Sequence, residues 1–467
     1  MKILKFGGSS VGTPERIKSV IDIVNKSIKT YEGSHVVVVS AFQGVTDQLI
    51  EMAELAKKQD NKYLESFRNL KERHVAAVND IVSEEKRVET IEKIERKFGD
   101  LENILRGTYL TMELTPKMLD YVLSFGERLS AYIISRGFEE ATYLDTRTLI
   151  KTDENFGNAA VLYEDTYTNI KNYFQNRSML QVATGFIGST KENVTTTLGR
   201  GGSDFTAAIF GAALSASEVE IWTDVDGVMT ADPKKVSDSF SLDNMTYEEA
   251  FELSHFGAKV IYPPTIQPTQ EKDIPIMIKN TFHPDFSGTR ISSETDAEGM
   301  IKGVTSISNI SLILVQGKGM SSVSGIDARI FSVLAKNKIN SVLITQGSSD
   351  HTICIAIKPE YGQVSKTAID KEFEYELLTK KMTEVVIEEN KSIIAVVGEK
   401  ITKDPRIAGK IFDTIAKNNI LISAIAQGSS DRNISIIIDK EDEKNALTSL
   451  HAAFFNERKM PKSGKFE

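Results

Sequence analysis

The chain has 467 residues, 40% of them hydrophobic and 26% charged, with a formal net charge of −9. That length predicts roughly two to four domains with sizeable cores, and the acidic balance argues against a nucleic-acid groove. A single cysteine, Cys354, excludes a disulfide within the chain, the six histidines lack metal-ligand spacing, and no apolar run suits a membrane span, so a cytoplasmic protein is expected.

Residues 1–6 read as a short buried strand interrupted by Lys5, after which the backbone turns through Gly7, Gly8, Ser9 and Ser10. The strand-like start is not a signal peptide. Thr13, Pro14 and Glu15 suit the N-cap, first position and first turn of a helix running to Lys29. A strand, a glycine turn and a helix start make an anion site, because glycine lets backbone N–H groups approach phosphate oxygens. Lys5 adds a full positive charge. This is not a Walker loop: Gly7-x4-Gly12 is followed by Thr13-Pro14, where that pattern requires Lys-Ser/Thr. A tight turn with a snorkelling lysine is the plainer reading.

Residues 35–40 form an apolar run typical of a parallel strand buried on both faces. A loop at 42–46 and a helix at 47–58 follow. Residues 61–106 are charged and helical in pattern, a helical excursion with a solvated face and no chemistry. The helix 115–135 carries Phe125-Gly126-Glu127, a carboxylate in otherwise apolar surroundings. Strands are expected at 142–145 and 179–184. Gly199-Arg-Gly-Gly-Ser-Asp204 then leads into a small-residue helix ending near Ala216. A strand at 220–224, a turn at 226–227, a helix at 248–256, a last strand at 274–279 and a loop-rich linker at 283–298 complete this part. The alternation predicts an α/β sandwich around a mostly parallel sheet.

The C-terminal third is an internal repeat. Gln346-Gly-Ser-Ser-Asp350 recurs as Gln427-Gly-Ser-Ser-Asp431, an offset of 427 − 346 = 81 that also pairs Ile330-Phe331 with Ile411-Phe412 and Gly317 with Gly398. Each copy has the order of a ferredoxin-like βαββαβ unit. The first closes with a strand near 384–388, whereas the second ends in a helix. The strand at 301–307 is therefore expected to complete the second unit, with the first inserted in it. The expected domains are 1–283, a linker 284–300, a first repeat unit 308–390, and a second made of 301–307 plus 391–467.

Several side chains are candidates for chemistry. Arg200 offers a fork for a carboxylate or phosphate, and Asp204 could orient a catalytic lysine or a magnesium shell; a loop with a surface arginine and an N-cap aspartate is the alternative. Glu127 could accept from an ammonium, or be a half-exposed helix acid. Ser40 and Thr46 flank a strand-to-loop turn, where open α/β sheets bind ligands, although such hydroxyls more often make turn bonds. Thr223 and Asp224, with Asp226-Gly227 and Lys234, follow another strand end and suit a nucleotide. Lys259 sits just past a helix end, where a capping cation is the simpler role.

In this order, Lys5-Phe-Gly-Gly-Ser-Ser10, Phe125-Gly-Glu127, Gly199-Arg-Gly-Gly-Ser-Asp204, Trp222-Thr-Asp-Val-Asp-Gly227 and Phe256-Gly-Ala-Lys259, followed by tandem ferredoxin-like units, resemble the aspartokinases, amino acid kinases with C-terminal ACT domains. The resemblance covers essentially the whole chain. It implies ATP-dependent phosphorylation of the L-aspartate β-carboxylate to 4-phospho-L-aspartate, the first step towards lysine, threonine and methionine, with Mg²⁺ carried by the nucleotide and no metal site of the protein's own. It implies that Lys5 stabilises the transferring phosphoryl group, that Gly7, Gly8 and Ser9 cradle it, and that Asp204 organises Lys5. Arg200 would take the aspartate α-carboxylate, with Ser40, Thr46, Glu127, Gly201, Gly202 and Ser203 completing the substrate site. Thr223, Asp224, Met229, Lys234 and Lys259 would face the nucleotide. Met229, Lys234 and Tyr262 stand where Tyr, Arg and His are common in the family.

The same resemblance implies an effector pocket made by Met320, Ser324, Gly325, Ile326, Asp327, Ser341, Val342 and Thr345, taking lysine first and threonine second. It also implies a homodimer or dimer of dimers joined through ACT domains; repeats that only build the dimer are the alternative. The chemistry is coherent, since an ionised carboxylate nucleophile needs no general base and no histidine acid/base constellation is present. Two other functions stay open. One is another amino acid kinase acting on glutamate, carbamate or UMP, against which the ACT-like units and the form of Lys5–Ser10 argue. The other is a non-catalytic amino-acid sensor, against which Lys5, Arg200 and Asp204 argue. The length leaves no room for a fused homoserine dehydrogenase, so a single activity is expected.

Overall fold

The computed structural model describes the chain apart from residues 176, 178–179, 259–260, 295–300, 318–324, 348–351, 429–430 and 457–467. It divides into two units. The first comprises Met1–Val228, Ser241–Ala250 and Lys259–Ala297; the second comprises Met229–Phe240, Phe251–Ala258 and Glu298–Glu467.

The first half runs β1 (Lys2–Phe6), α1 (Pro14–Thr30), β2 (His35–Val39), α2 (Val45–Lys57), α3 (Lys62–Ile81), α4 (Glu84–Thr111), α5 (Pro116–Gly137), β3 (Thr142–Leu144), α6 (Tyr163–Phe174), β4 (Gln181–Thr184), β5 (Ile187–Ser189), β6 (Thr195–Thr197), α7 (Gly202–Leu214) and β7 (Glu218–Thr223). There follow β8 (Asn244–Thr246), α8 (Tyr247–His255), α9 (Pro263–Gln270), β9 (Ile276–Asn280) and β10 (Thr289–Ser292). The main sheet has the order β3-β4-β2-β1-β7-β9-β10-β8. From β3 to β9 every neighbour is parallel. β2, with four consecutive valines, is buried throughout, as a parallel strand covered on both faces must be. Thr13 and Thr115 cap α1 and α5 by accepting from Arg16 N and Met118 N, each with proline next in the chain.

One expectation for this unit needs correction. The strand at 274–279 is not the last of the sheet, because β10 lies within the stretch read as linker, antiparallel to β9 and parallel to β8. Its four residues, behind the left-handed turn at Gly288, carry too little pattern to read as a strand. The excursion at 61–106 is helical as expected, in two helices with a solvated face, and on the other face Tyr63, Phe67, Leu70, Ile94, Phe98, Leu101 and Leu105 join the main core.

The second unit runs β11 (Ile301–Gln316), α10 (Ile326–Lys336), β12 (Leu343–Gln346), β13 (Ile353–Ile357), α11 (Gly362–Glu372), α12 (Glu374–Leu378), β14 (Glu384–Gly398), α13 (Pro405–Lys417), β15 (Ile422–Gln427), β16 (Asn433–Asp439) and α14 (Glu443–Phe455). Its single sheet has the order β12-β13-β11-β14-β16-β15. β11 and β14 are long antiparallel partners that serve both repeats. Ile301 and Val304 share a core with Ile394, Val396, Ile411 and Phe455, whereas Ile313 and Val315 share another with Ile330, Ile355 and Val385. The first repeat is thus inserted in the second. The register shifts between Ile307 and Leu312, beside Asn309 with φ 59°, and Asn390 with φ 56° lies within β14 at the same seam. Asparagine tolerates the left-handed region better than other side chains.

Residues 229–240 were expected in the N-terminal domain but belong here. Ala231 and Val236 enter the core of the second repeat, and Val304 N donates to Thr230 O at 2.8 Å. Among the described residues no helix is long and apolar enough to cross a membrane.

Candidate active site

Parallel strands bring their carboxyl ends to one edge of the sheet, and the loops leave it in step. Gly7 N donates to Trp222 O (3.2 Å), Ser40 N to Phe6 O (3.1 Å), Gly185 N to Val39 O (2.9 Å) and Thr281 N to Thr223 O (2.9 Å). This is the edge at which open α/β sheets bind ligands.

The first loop folds tightly because Ser10 N and Val11 N both donate to Gly7 O, at 3.0 and 3.2 Å. Gly8 lies against the next loop, where a Cβ would meet Ala41 O at 3.3 Å. The second loop uses left-handed glycines at 199 and 201 to start α7. A Cβ on Gly201 would lie 2.3 Å from the Tyr262 side chain, which packs directly against this turn. α7 places Asp204 in its first turn, and Asp204 Oδ1 pairs with Lys5 Nζ at 2.5 Å. A strand lysine and a helix acid thus join the two glycine-rich turns.

A cavity of ≈ 730 Å³ lies between these turns. It brings together Lys5, Gly8, Ser9, Ser40, Thr46, Glu127, Arg200, Gly201, Gly202, Ser203 and Asp204. α2 also starts here, behind the left-handed Gly44, so two helix N-termini face the same space. Arg200 is exposed at the rim. Glu127 is buried, and its Oε1 accepts from Ala41 N at 3.2 Å. Burial pushes its carboxyl up to about 8, against the pull of the Ala41 N–H, its own backbone N–H and the Lys5 charge. Its Oε2 has no hydrogen-bond partner.

Other expected residues lie elsewhere. Gly7 supports the turn but does not line the cavity. Thr223 ends β7, with its hydroxyl 3.3 Å from Asp224 Oδ1, and neither residue lines the cavity. Met229 and Lys234 fall in the second unit. Lys259 lies outside the described residues, as do Met320 and Ser324. Of the remaining effector candidates, Gly325 is the left-handed N-cap of α10, Ile326 and Asp327 form its first turn, and Ser341 and Val342 lead into β12. Thr345, on β12, donates from its hydroxyl to Ile425 O at 2.8 Å.

Sequence reasoning missed Phe42, Gln43, Asp120, Phe186 and Thr197, which also line the cavity. Asp120, buried on α5, accepts from Gly157 N (3.0 Å), Thr197 N (2.9 Å) and the Thr197 hydroxyl (2.8 Å), and so fastens the cavity floor. An acid near the start of an amphipathic helix gave no signal of that role. These features define a class: an α/β protein with a two-loop anion cleft, joined to a pair of ferredoxin-like units.

Comparison with known proteins narrows the class. The model of the amino acid kinase family matches residues 1–280, and that of the ACT domain matches 313–373 and 394–454. The chain is 35% identical over 472 residues to bifunctional aspartokinase/homoserine dehydrogenase 1 of Arabidopsis thaliana, a match covering 97% of this chain and 51% of that protein. The chain spans about half the length of the bifunctional plant relatives it matches. The structure of E. coli aspartokinase III in complex with aspartate and ADP superposes with a TM-score of 0.82 at 26% identity, covering 97% of this chain and 100% of that one. The E. coli enzyme in complex with lysine and aspartate gives 0.77 at 27% identity, covering 97% and 99%. The chain belongs to the amino acid kinase family, on its aspartokinase branch.

Proposed function

We propose that the protein transfers the γ-phosphoryl group of ATP to the β-carboxylate of L-aspartate, giving 4-phospho-L-aspartate and ADP. The observation that carries this reading is the Lys5–Asp204 pair set between two glycine-rich turns, with the buried Glu127 in the same cavity. A carboxylate oxygen attacks the γ-phosphorus while the bond to the β–γ bridging oxygen breaks, and ADP leaves with that electron pair. No proton moves. The barrier lies in bringing two anions together, so alignment and positive charge are what the site must supply.

Lys5 meets the transferring group, with Gly8 and Ser9 around it on the turn that Gly7 supports, and Asp204 aims the ammonium. Arg200 takes the α-carboxylate. Glu127 takes the substrate ammonium, whose arrival ionises an acid that burial otherwise keeps protonated near neutral pH. Ser40, Thr46, Gly201, Gly202 and Ser203 complete the acceptor side; Thr223, Asp224 and Lys259 serve the nucleotide. The donor set fits an ion that arrives with the nucleotide. Asp204 brings a carboxylate to the phosphoryl cradle. Mg²⁺ carried on the ATP phosphates would add positive charge there.

ADP release and hydroxylamine trapping of acyl phosphate, measured with aspartate, glutamate, carbamate and UMP, test the reading. Turnover of aspartate alone is expected, and turnover of only another acceptor would overturn the assignment. Arg200→Ala is expected to raise the KM for aspartate about 10- to 100-fold, the scale of lost hydrogen bonds to a charged group, with the KM for ATP little changed. A larger rise for ATP would remove Arg200 from the acceptor side.

The ACT pair is proposed to bind an end-product amino acid, lysine before threonine, and to join subunits in a dimer or dimer of dimers. The lysine complex of E. coli aspartokinase III supports this choice. Asp327, exposed in the first turn of α10, would pair with an effector amine. Lysine should inhibit, and Asp327→Ala or Thr345→Ile should relieve inhibition with kcat near wild type, across a coupling of ~1–3 kcal/mol. Activity titrated with lysine, threonine and their mixture checks this; an unresponsive wild type would overturn regulation and leave the kinase reading intact.

A further inference from the structure

The α3–α4 excursion supplies no residue to the transfer described above, yet α3 sends two consecutive side chains to the loops of the cleft. Arg73 Nη1 donates to Gln43 O and Nη2 to Gly12 O, both at 2.9 Å. Gly12 closes the turn after β1, and Gln43 lies in the loop after β2. One planar guanidinium therefore ties the two loops together, using a fork that lysine cannot copy.

The tie is doubled. Arg16, from α1, donates from Nη1 to Ser9 O (3.0 Å) and to Gln43 Oε1 (3.1 Å). Gln43 is thus gripped by its backbone carbonyl from α3 and by its side-chain carbonyl from α1. Gly12 leaves room for this, since a Cβ there would lie 2.8 Å from Gln43 Oε1. Next to Arg73, His74 stacks on Phe42 with centroids 4.9 Å apart and planes at 13°, and Phe98 of α4 backs it edge-on at 5.6 Å. His74 Nδ1–H donates to Leu70 O at 2.7 Å, which fixes the ring. Phe42 and Gln43 line the cavity together with Gly8 and Ser9.

The two loops divide the reaction between them. Gly8 and Ser9 belong to the phosphoryl cradle, and the Ala41–Thr46 segment belongs to the acceptor side through Ala41 N–H on Glu127. We infer that Arg73, with Arg16 and Gln43, is a positioning residue whose clasp sets the spacing between phosphoryl cradle and acceptor loop, and that this is what the α3–α4 excursion contributes. The inference rests on the phosphotransfer reading of the cleft. Each loop keeps its own ligand contacts when the clasp is cut, so the loss falls on alignment, where a misplacement of about 1 Å lowers rates by about 10²-fold.

Full-length Arg73→Ala, Arg73→Lys and Gln43→Ala test it, by steady-state kinetics for both substrates and by hydrogen exchange of peptides covering 7–12 and 41–46. For Arg73→Ala, kcat is expected to fall about 10- to 100-fold with both KM values within about threefold. Both loops should exchange faster while β4 and α5 keep their protection. Arg73→Lys holds one carbonyl instead of two and should fall between Arg73→Ala and wild type; it carries the test alone if the alanine variant does not fold. Unchanged exchange in the two loops would overturn the clasp, whether or not the wild type phosphorylates aspartate. Faster exchange with kcat within about twofold of wild type would overturn its positioning role. Absence of aspartate turnover by the wild type is a separate result, which overturns the kinase reading and leaves the exchange data to decide on the clasp.

Discussion

Lys5→Ala is expected to lower kcat by about 10²–10³-fold or more in a protein that still folds. Lys5 is only 8% exposed, and its ammonium is held 2.5 Å from Asp204 Oδ1, so its position is set before any nucleotide arrives. Positive charge fixed in advance needs no reorganisation when charge shifts onto the transferring oxygens. Removing it has a second consequence. Asp204 stays at the start of α7, unpaired, and presents its negative charge to an incoming phosphate. The rate loss should therefore exceed that of Asp204→Asn, which keeps the lysine, and the two substitutions should not add, because the two groups act as one. The fold survives because β1 is held by backbone ladders to β2 and β7, in which Lys5 faces Val38 and Ile221. Steady-state kinetics with circular dichroism on the purified variant is the measurement. A kcat within about threefold of wild type would remove Lys5 from the mechanism.

Much of this site was legible in the sequence because its parts are local. A glycine turn between a strand and a helix start leaves backbone N–H groups free for an anion, and Gly7–Pro14 and Gly199–Asp204 both show that pattern. The repeat, together with a second copy that ends in a helix and lacks its closing strand, was enough to infer that 301–307 completes the second unit. What escaped was settled by packing between distant segments. Arg73 looks like any surface arginine of a charged helix until the loops at Gly12 and Gln43 meet beneath it. Asp120 reads as a helix-start acid until β6 presents Thr197 to it. Residues 229–240 have neither helical nor strand period, so nothing in them signalled that Ala231 and Val236 would complete a core with Ile301 and Ile411. The seam between repeats depends on left-handed backbone at Asn309 and Asn390, which asparagine permits but does not announce.

Glu443→Gln is expected to weaken the C-terminal unit by about 2–4 kcal/mol at pH 7, somewhat less than the loss of a fully buried ion-pair partner because Lys235 is partly exposed. Glu443 starts α14 and binds three separate segments. Its Oε1 accepts from Lys235 and from the Ser306 and Ser308 hydroxyls of β11, the latter two at 2.7 Å, and its Oε2 accepts from Ser392 of β14 at 2.7 Å. Burial raises the carboxyl, but the Lys235 ammonium and the three hydroxyls outweigh it and hold it down to about 2. The glutamine amide would direct N–H groups at donors already in place. The sign of the pH effect follows from the depressed value. The carboxylate stabilises the fold fully above its unfolded value near 4.5, and this contribution is lost as pH falls towards about 2. It amounts to roughly 1–3 kcal/mol once solvent around the partly exposed Lys235 is allowed for. Pulsed hydrogen exchange across a urea series, read in peptides from β14 and β16 of the full chain, measures the stability gap between wild type and variant. The gap should be open at pH 7 and narrow steadily from pH 4.5 downward as the wild-type carboxylate takes up its proton. A gap of equal size at pH 7 and pH 3 would mean that the charge of Glu443 contributes nothing and that only its shape matters to the unit.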